Sequence, residues 1–275
     1  MSDLSVAHAS TSLAARPAGY SVMVECLRLM STVEKRSAVA RLCGARPVGD
    51  DARPWFDGAI GEIAVGRVLE RLGGQWRILH AIPVGSGDTD IDHLVIGPSG
   101  VFSINSKHHR GKKVWASPKV LMVSGHKQDH LRNSRSEATR ATRILSTAAG
   151  VQVTVVPVIA IVGAARITLR GATAVKVLAS ADLARWLRRK RAILDDAEIQ
   201  RLSLLATNAR VWHNTADPSV DPDIVRRFEL LRRASERAYR RRLALALIVS
   251  VGIGIVSVQL LSALATYLIA ELTGG

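Results

Sequence analysis

At 275 residues the chain has room for one domain of ordinary size plus accessory segments. Its formal charge of +15 suits a phosphate-rich partner or an anionic membrane surface, without telling them apart. Two cysteines, Cys26 and Cys43, exclude a disulfide framework or a Cys-rich zinc site, and 4% aromatic residues argue against a base-stacking platform for single strands.

Residues 1–20 are small and polar, with no basic start followed by an apolar run, so no signal peptide is expected. Apolar residues at helical spacing (Val22, Leu27, Met30, Val33, Val39, Leu42) predict one accessory helix over 22–42, and Pro47, Gly49 and Pro54 mark 44–55 as a linker. Ile60, Ile63, Ala64, Val68 and Leu72 stripe the next helix, which Gly73-Gly74 ends. A strand is expected over 76–82, then a hairpin whose arms meet at Gly97-Pro98-Ser99-Gly100, then a short strand or hairpin over 114–123. The stretch 128–149 reads as a helix, the β-branched run 151–162 as a buried strand, and 174–178 as a last strand. Beyond Ala179 the pattern is helical. Ser180 and Asp182 open an arginine-rich segment to Arg191, 195–213 is amphipathic, and 223–242 follows a break at Asp217-Pro218 and Asp221-Pro222.

The hairpin carries the chemistry. If its turn centres on Pro98 and Ser99, facing positions sum to 197, so Asp92 faces Asn105 and Asp90 faces Lys107. Alternation then puts Asp90, Asp92, Ser103, Asn105 and Lys107 on one face with Leu94, Ile96 and Val101. Ile91, Val95, Phe102 and Ile104 take the other. A loop longer by one residue breaks this register. Carboxylates that gather beside an ammonium can hold Mg²⁺ or Mn²⁺ and cleave a phosphodiester. The same residues are equally compatible with a surface hairpin bearing an ordinary Asp–Lys pair.

The stretch from about Trp55 to Gly163 resembles the nuclease-related domain (NERD), a branch of the PD-(D/E)XK nuclease superfamily. The matching text is Gly58-Ala59-Ile60-Gly61-Glu62, Ile91-Asp92-His93-Leu94-Val95, Gly100-Val101-Phe102 leading to Lys107, and 128–145 with Asn133 and Glu137-Ala138. The resemblance implies a restriction-endonuclease-like αβββαβ core with a mixed α/β sheet over 55–178. It also implies Glu62 and Asp92 as metal ligands and Lys107 as the signature lysine. One departure stands out. The family's E-x-K reads Asn105-Ser106-Lys107 here, so an amide replaces an acid and Asn105 becomes an auxiliary ligand. Asp90 or Glu137 is then the candidate for the missing carboxylate. A degenerate module that binds nucleic acid without cutting it is the competing reading, and a basic scaffold for lipid or protein partners is a third.

His108, His109, Arg110, Lys112 and Lys113 follow the site strand, and Arg132, Arg135, Arg140 and Arg143 line the next helix. Such groups would grip a nucleic-acid backbone, DNA being favoured, and would equally suit a solvated or lipid-facing basic surface. His80, His93, His108, His109, His126 and His130 fall close together, yet no spacing among them recommends zinc.

From 243 to 270 there is no formal charge, which is enough apolar chain for one bilayer-spanning helix. Arginines crowd its N-terminal side over 232–242, so the positive-inside rule predicts a single-pass membrane protein with its domain in the cytoplasm. The tail 271–275 is short, and 1–54 and 179–242 read as an N-terminal accessory region and a basic juxtamembrane region. Ser250 and Gly254 form a small-xxx-small pair that would suit a homodimer through the span. The Ala- and Arg-rich composition is that of a GC-rich bacterial genome.

Overall fold

The stretch expected to be one N-terminal helix is two: α1 (Tyr20–Met30) and α2 (Ala38–Leu42). Ser37 is the reason, because its side chain accepts the Ala40 N–H at 3.1 Å and starts a new helix there. Helix α3 (Arg53–Leu69) begins inside the expected linker, since Pro54 sits in its first turn, where a missing N–H costs nothing. The computed structural model describes residues 12–31, 36–84, 90–171, 173–212 and 220–273. The expected signal-free residues 1–11 and the Asp217-Pro218 break lie outside them.

After α3 come β1 (Arg77–Pro83), β2 (Asp90–Gly97) and β3 (Gly100–His108), an antiparallel meander. Three short strands follow, β4 (Lys113–Ala116), β5 (Leu121–Val123) and β6 (His126–Gln128), then helix α4 (His130–Ala149). Strands β7 (Val155–Val162), β8 (Arg166–Leu169) and β9 (Lys176–Ala179) precede helices α5 (Ser180–Arg188) and α6 (Asp196–Thr207). The main sheet has the order β1-β2-β3-β7-β9, and β7 and β9 run parallel to β3, which makes it mixed. A second sheet, β6-β5-β4-β8, was only partly visible in the sequence. Strand β6 is too polar to show alternation, β8 alternates over only four residues, and β8 pairs in parallel with β4 through tertiary contact alone.

Alternation along β2 and β3 sorts the core onto two faces. Val95, Phe102 and Ile104 pack with Val65 and Leu69 of α3 and Leu183 and Leu187 of α5. Leu94, Ile96 and Val101 pack with Ala141 and Leu145 of α4 and Ile199 and Leu202 of α6. The packed unit therefore runs through the two helices after the last strand to Trp212, which is fully buried. Ile91 corrects the sequence reading, because it joins the α4 side with Leu94 and not the α3 side. The β1–β2 register skips Ala81 and Asp92, and Ala81 has φ +47°, so the alternation slips at that point.

Helix α7 (Pro222–Thr273) runs unbroken for 52 residues. Its first turns dock on the domain, with Phe228 packed against Phe56 at 5.5 Å between ring centroids. Farther on, as far as Ala265, it is exposed and apolar, with a mean hydropathy of 2.4 over its most apolar window, and the helix is long and apolar enough to cross a bilayer.

The hairpin turn is shaped by one close contact. A Cβ on Gly97 would lie 2.2 Å from the Trp76 ring. Gly97→Ala should therefore destabilise the detergent-solubilised chain by about 1–3 kcal/mol in denaturant unfolding. Gly74→Ala, where nothing lies within 4 Å, should stay within about 0.5 kcal/mol.

Candidate active site

Glu62 reaches the sheet because α3 comes unusually close to β3. A Cβ on Gly61 would stand 3.0 Å from the His108 Cβ, so the absence of a side chain there lets the helix settle against the strand end. The adjoining Glu62 is 7% exposed.

The β2–β3 register is the one expected: Ile96 faces Val101, Val95 faces Phe102 and His93 faces Ile104. The paired positions stop at His93–Ile104. Beyond them the Asp92 carboxylate itself takes the Ser106 N–H at 2.6 Å, in place of a main-chain acceptor. Ser106 is held from the other side as well, by His93 Nε2 at 3.0 Å to its hydroxyl. His93 Nδ1 in turn lies 2.7 Å from His80 Nδ1. Burial keeps both imidazoles neutral, lowering His80 to about 4 and His93 well below its ordinary value. One ring must therefore donate and the other accept. His93 is thus a structural brace turned towards His80.

Across the strand, Asn105 Nδ2 donates to Glu137 Oε2 at 2.9 Å, and the Ser103 hydroxyl donates to Glu137 Oε1. Helix α4 thus brings Glu137 against the amide at position 105. The amide's other end, Asn105 Oδ1, is buried and has no hydrogen-bond partner among the described residues. A buried carbonyl oxygen without a partner is costly unless something electropositive meets it.

Electrostatics tie these groups together. Burial raises the Glu62 carboxyl well above its usual range; Asp92, Asp90 and Glu137 push it further, and Lys107 pulls it back. Asp92 is raised by burial, and against this work Lys107 and the backbone N–H groups of Ser106 and Asp92. Glu137 is raised to about 7, by burial first and then by Asp92. Four carboxyl groups and one ammonium therefore feel one another in a partly water-excluded place. That imbalance favours a divalent cation.

The donor set fits a hard ion, with carboxylate oxygens from Glu62, Asp92 and Glu137 and the unpartnered oxygen of Asn105. Among the described residues, no three His, Cys, Asp or Glu side chains stand close enough together to hold a metal by themselves. A set completed by Asn105, water and phosphate oxygens matches a weakly held Mg²⁺ or Mn²⁺ better than zinc.

Arg16, just before α1, had no sequence signal. The residue is 8% exposed, and its guanidinium lies over the Tyr20 ring at 5.1 Å, donates to Ser21 at 3.1 Å and feels the Asp90 charge. Only tertiary folding brings it there. Of the basic residues, Arg110, Lys112, Lys113, Arg132 and Arg135 are exposed, whereas His108 and His109 are half-buried. His109 stacks on His130 at 5.5 Å, and burial lowers each to about 4, so both rings are neutral near pH 7. Arg132 pairs with Asp129 at 3.0 Å, and Arg110 lies over the Tyr239 ring of α7 at 5.5 Å.

The mixed sheet, its flanking helices and the order α3-β1-β2-β3-α4-β7 define a mixed α/β domain. Residues 57–162 match the family model described as the nuclease-related domain, NERD, and this part of the chain is a domain of that family. The match takes in Glu62, Asp92, Asn105, Lys107 and Glu137. No curated protein and no solved structure matches the chain.

The acids give the metal-free protein a defined pH response. A carboxyl group raised on folding contributes stability that is fully present below its unfolded pKa, near 4.5, and lost as pH rises through about 7 for Glu137. The His80–His93 pair acts oppositely, its contribution being lost as pH falls from 6.5 towards about 4 for His80. The gain produced by added ion isolates the acids, since the histidine pair is the same with and without it. Mg²⁺ or Mn²⁺ should raise the melting midpoint more near pH 8 than near pH 5, as read by thermal unfolding in detergent. Equal gains at the two pH values would contradict an ion site built on these acids.

Proposed function

We propose that this chain is a membrane-anchored nuclease that hydrolyses phosphodiester bonds in nucleic acid, DNA being favoured, with help from Mg²⁺ or Mn²⁺. The observation that carries the proposal is the set of Glu62, Asp92 and Glu137, partly shielded from water and all feeling the Lys107 charge, with the unpartnered Asn105 Oδ1 on the amide that holds Glu137, inside a nuclease-related domain. Domains of this superfamily usually use divalent metals, and the bound ion would polarise the phosphate and acidify water.

The residues divide the remaining work. Glu62 and Asp92 hold the ion, Asp92 being aimed by the Ser106 N–H. Glu137, held through Ser103 and Asn105, supplies the charge that the amide at 105 does not. Asn105 adds a neutral oxygen. Lys107 orients the attacking water or neutralises charge on the phosphate as a P–O bond forms on one side and breaks on the other. The departing oxygen leaves as an alcohol after taking a proton from solvent. Lys112, Lys113, Arg132 and Arg135, with Arg110, His108 and the neutral ring of His109, grip the phosphate backbone beside the site. Residues 243–270 of α7 form the single span, and the arginines before it keep the domain in the cytoplasm.

A second reading has its own support. Asn105 stands where the family carries an acid, which suits a domain that binds nucleic acid and no longer cuts it. Incubating the full detergent-solubilised chain with DNA and RNA, with EDTA, Mg²⁺ or Mn²⁺, separates the two. Metal-dependent cleavage should fall at least about 100-fold in Asp92→Ala and in Lys107→Ala. Salt-sensitive binding without cleavage would instead establish the binding module, and neither activity would leave a basic scaffold.

The assignment of Glu137 has a separate test. Cleavage that survives Asp90→Ala and Glu137→Ala, singly and together, would remove both from the site. Asn105→Asp should lower the Mn²⁺ concentration needed for half-maximal cleavage, because it restores a charged ligand. It should also lower the metal-free melting midpoint, since a second carboxylate would then face Glu137.

A further inference from the structure

The largest exposed apolar side chains outside the long helix's apolar half include Val39, 71% exposed, and Leu42, 72% exposed, both on α2. They stand three residues apart and so share a face of that short helix, and Cys43, also exposed, follows on the same side. Nothing in the domain needs such residues in water. The position of α2 along α7 supplies a reason for them.

Helix α2 is fastened to α7 at the last turn before its uncharged stretch. Gly44, with φ +74°, is so close that a Cβ there would lie 2.8 Å from the Ala238 carbonyl oxygen and 2.9 Å from Arg242. Arg241 donates to the Arg41 carbonyl oxygen at 3.0 Å. The uncharged run starts at Leu243, so α2 stands within one helical turn of it, about 5 Å along the axis. Arg36, Arg41 and Arg46 flank α2 in the chain, and Arg241 and Arg242 meet this segment from α7. Exposed apolar side chains ringed by arginines at that depth match the interface between acyl chains and anionic headgroups.

We propose that α2 is a second membrane contact, an interfacial foot whose Val39, Leu42 and Cys43 enter the headgroup region of an anionic bilayer while the surrounding arginines pair with lipid phosphates. The inference rests on the reading of 243–270 as a membrane span. Two points of attachment, the span and the foot, would stop the domain from swivelling about α7. Since Arg110, three residues past Lys107, lies on Tyr239 of that helix, the foot would also set how the end of β3 faces the membrane.

The chain provides its own probe site. Cys43 is exposed, whereas Cys26 is fully buried and burial pushes its thiol up to about 11, so a thiol-reactive, environment-sensitive dye labels position 43 of the native protein. The labelled full chain is reconstituted into vesicles of zwitterionic lipid alone and of zwitterionic lipid mixed with anionic phosphatidylglycerol. In the anionic vesicles the dye should shift to the blue, be quenched by lipid-borne spin labels and resist aqueous iodide several-fold better than in detergent. In Val39→Asp/Leu42→Asp, changes confined to exposed positions that should not disturb folding, iodide should regain access. Iodide access equal to that in detergent overturns the proposal, and so does equal protection in the zwitterionic vesicles. Alkaline carbonate extraction of the same vesicles reports on the span separately. A chain that resists extraction while its dye remains open to iodide has a span and no foot, whereas a chain that washes off has no span.

Discussion

Charge buried without its counterpart organises this molecule. Glu62, Asp92, Glu137 and Asp90 crowd one lysine where α3, the β2–β3 hairpin and α4 converge, and burial is the main force pushing the carboxyl groups of Glu62, Asp92 and Glu137 towards the neutral form. A fold that wanted only stability would place leucines there. The surrounding structure instead over-determines the arrangement: Gly61 lets the helix in, Ser106 holds Asp92 from its backbone, and Ser103 and Asn105 hold Glu137. The restraints come from α3 and β3 and act on side chains carried by α3, β2 and α4, so the cluster exists only when these elements have come together.

The rest of the domain can be read as support for that convergence. The His80–His93–Ser106 chain braces β1, β2 and β3 just behind the acids, and because both rings are neutral it adds no charge to a place already short of cations. Helices α5 and α6 close the two faces of the sheet, and the hairpin turn is clasped from outside, with Pro98 accepting the N–H groups of Ile193 and Leu194 at 2.7 and 3.0 Å. The long α7 then joins this unit to an apolar helix without an intervening loop, through Phe228 at one level and Ala238 at another. A continuous helix transmits orientation as a flexible linker would not.

Much of the hairpin was legible beforehand, because Gly97-Pro98-Ser99-Gly100 allows a tight reversal and alternation does the rest. Ile91 was not, since the slip beside it depends on the φ of Ala81 on a different strand. The division of residues 22–42 depended on a cap at Ser37 that the apolar spacing concealed. Glu137 could be named as one of two candidates from its place in the family motif, but its hydrogen bonds to Ser103 and Asn105 belong to packing. Arg16 carried no local signal at all.

The sequence by itself determined the local matters: the periods of helix and strand, the hairpin register, the substitution of an amide at position 105, and an uncharged stretch behind a row of arginines. These depend on neighbours a few residues away, where backbone geometry dictates which side chains share a face. Only the tertiary structure decided what meets across distance, such as α4 against β3, the N-terminal Arg16 near Asp90, and α2 against the last turn before the apolar run. Those contacts join residues far apart in the chain, and their energies come from burial and desolvation, which no local pattern records.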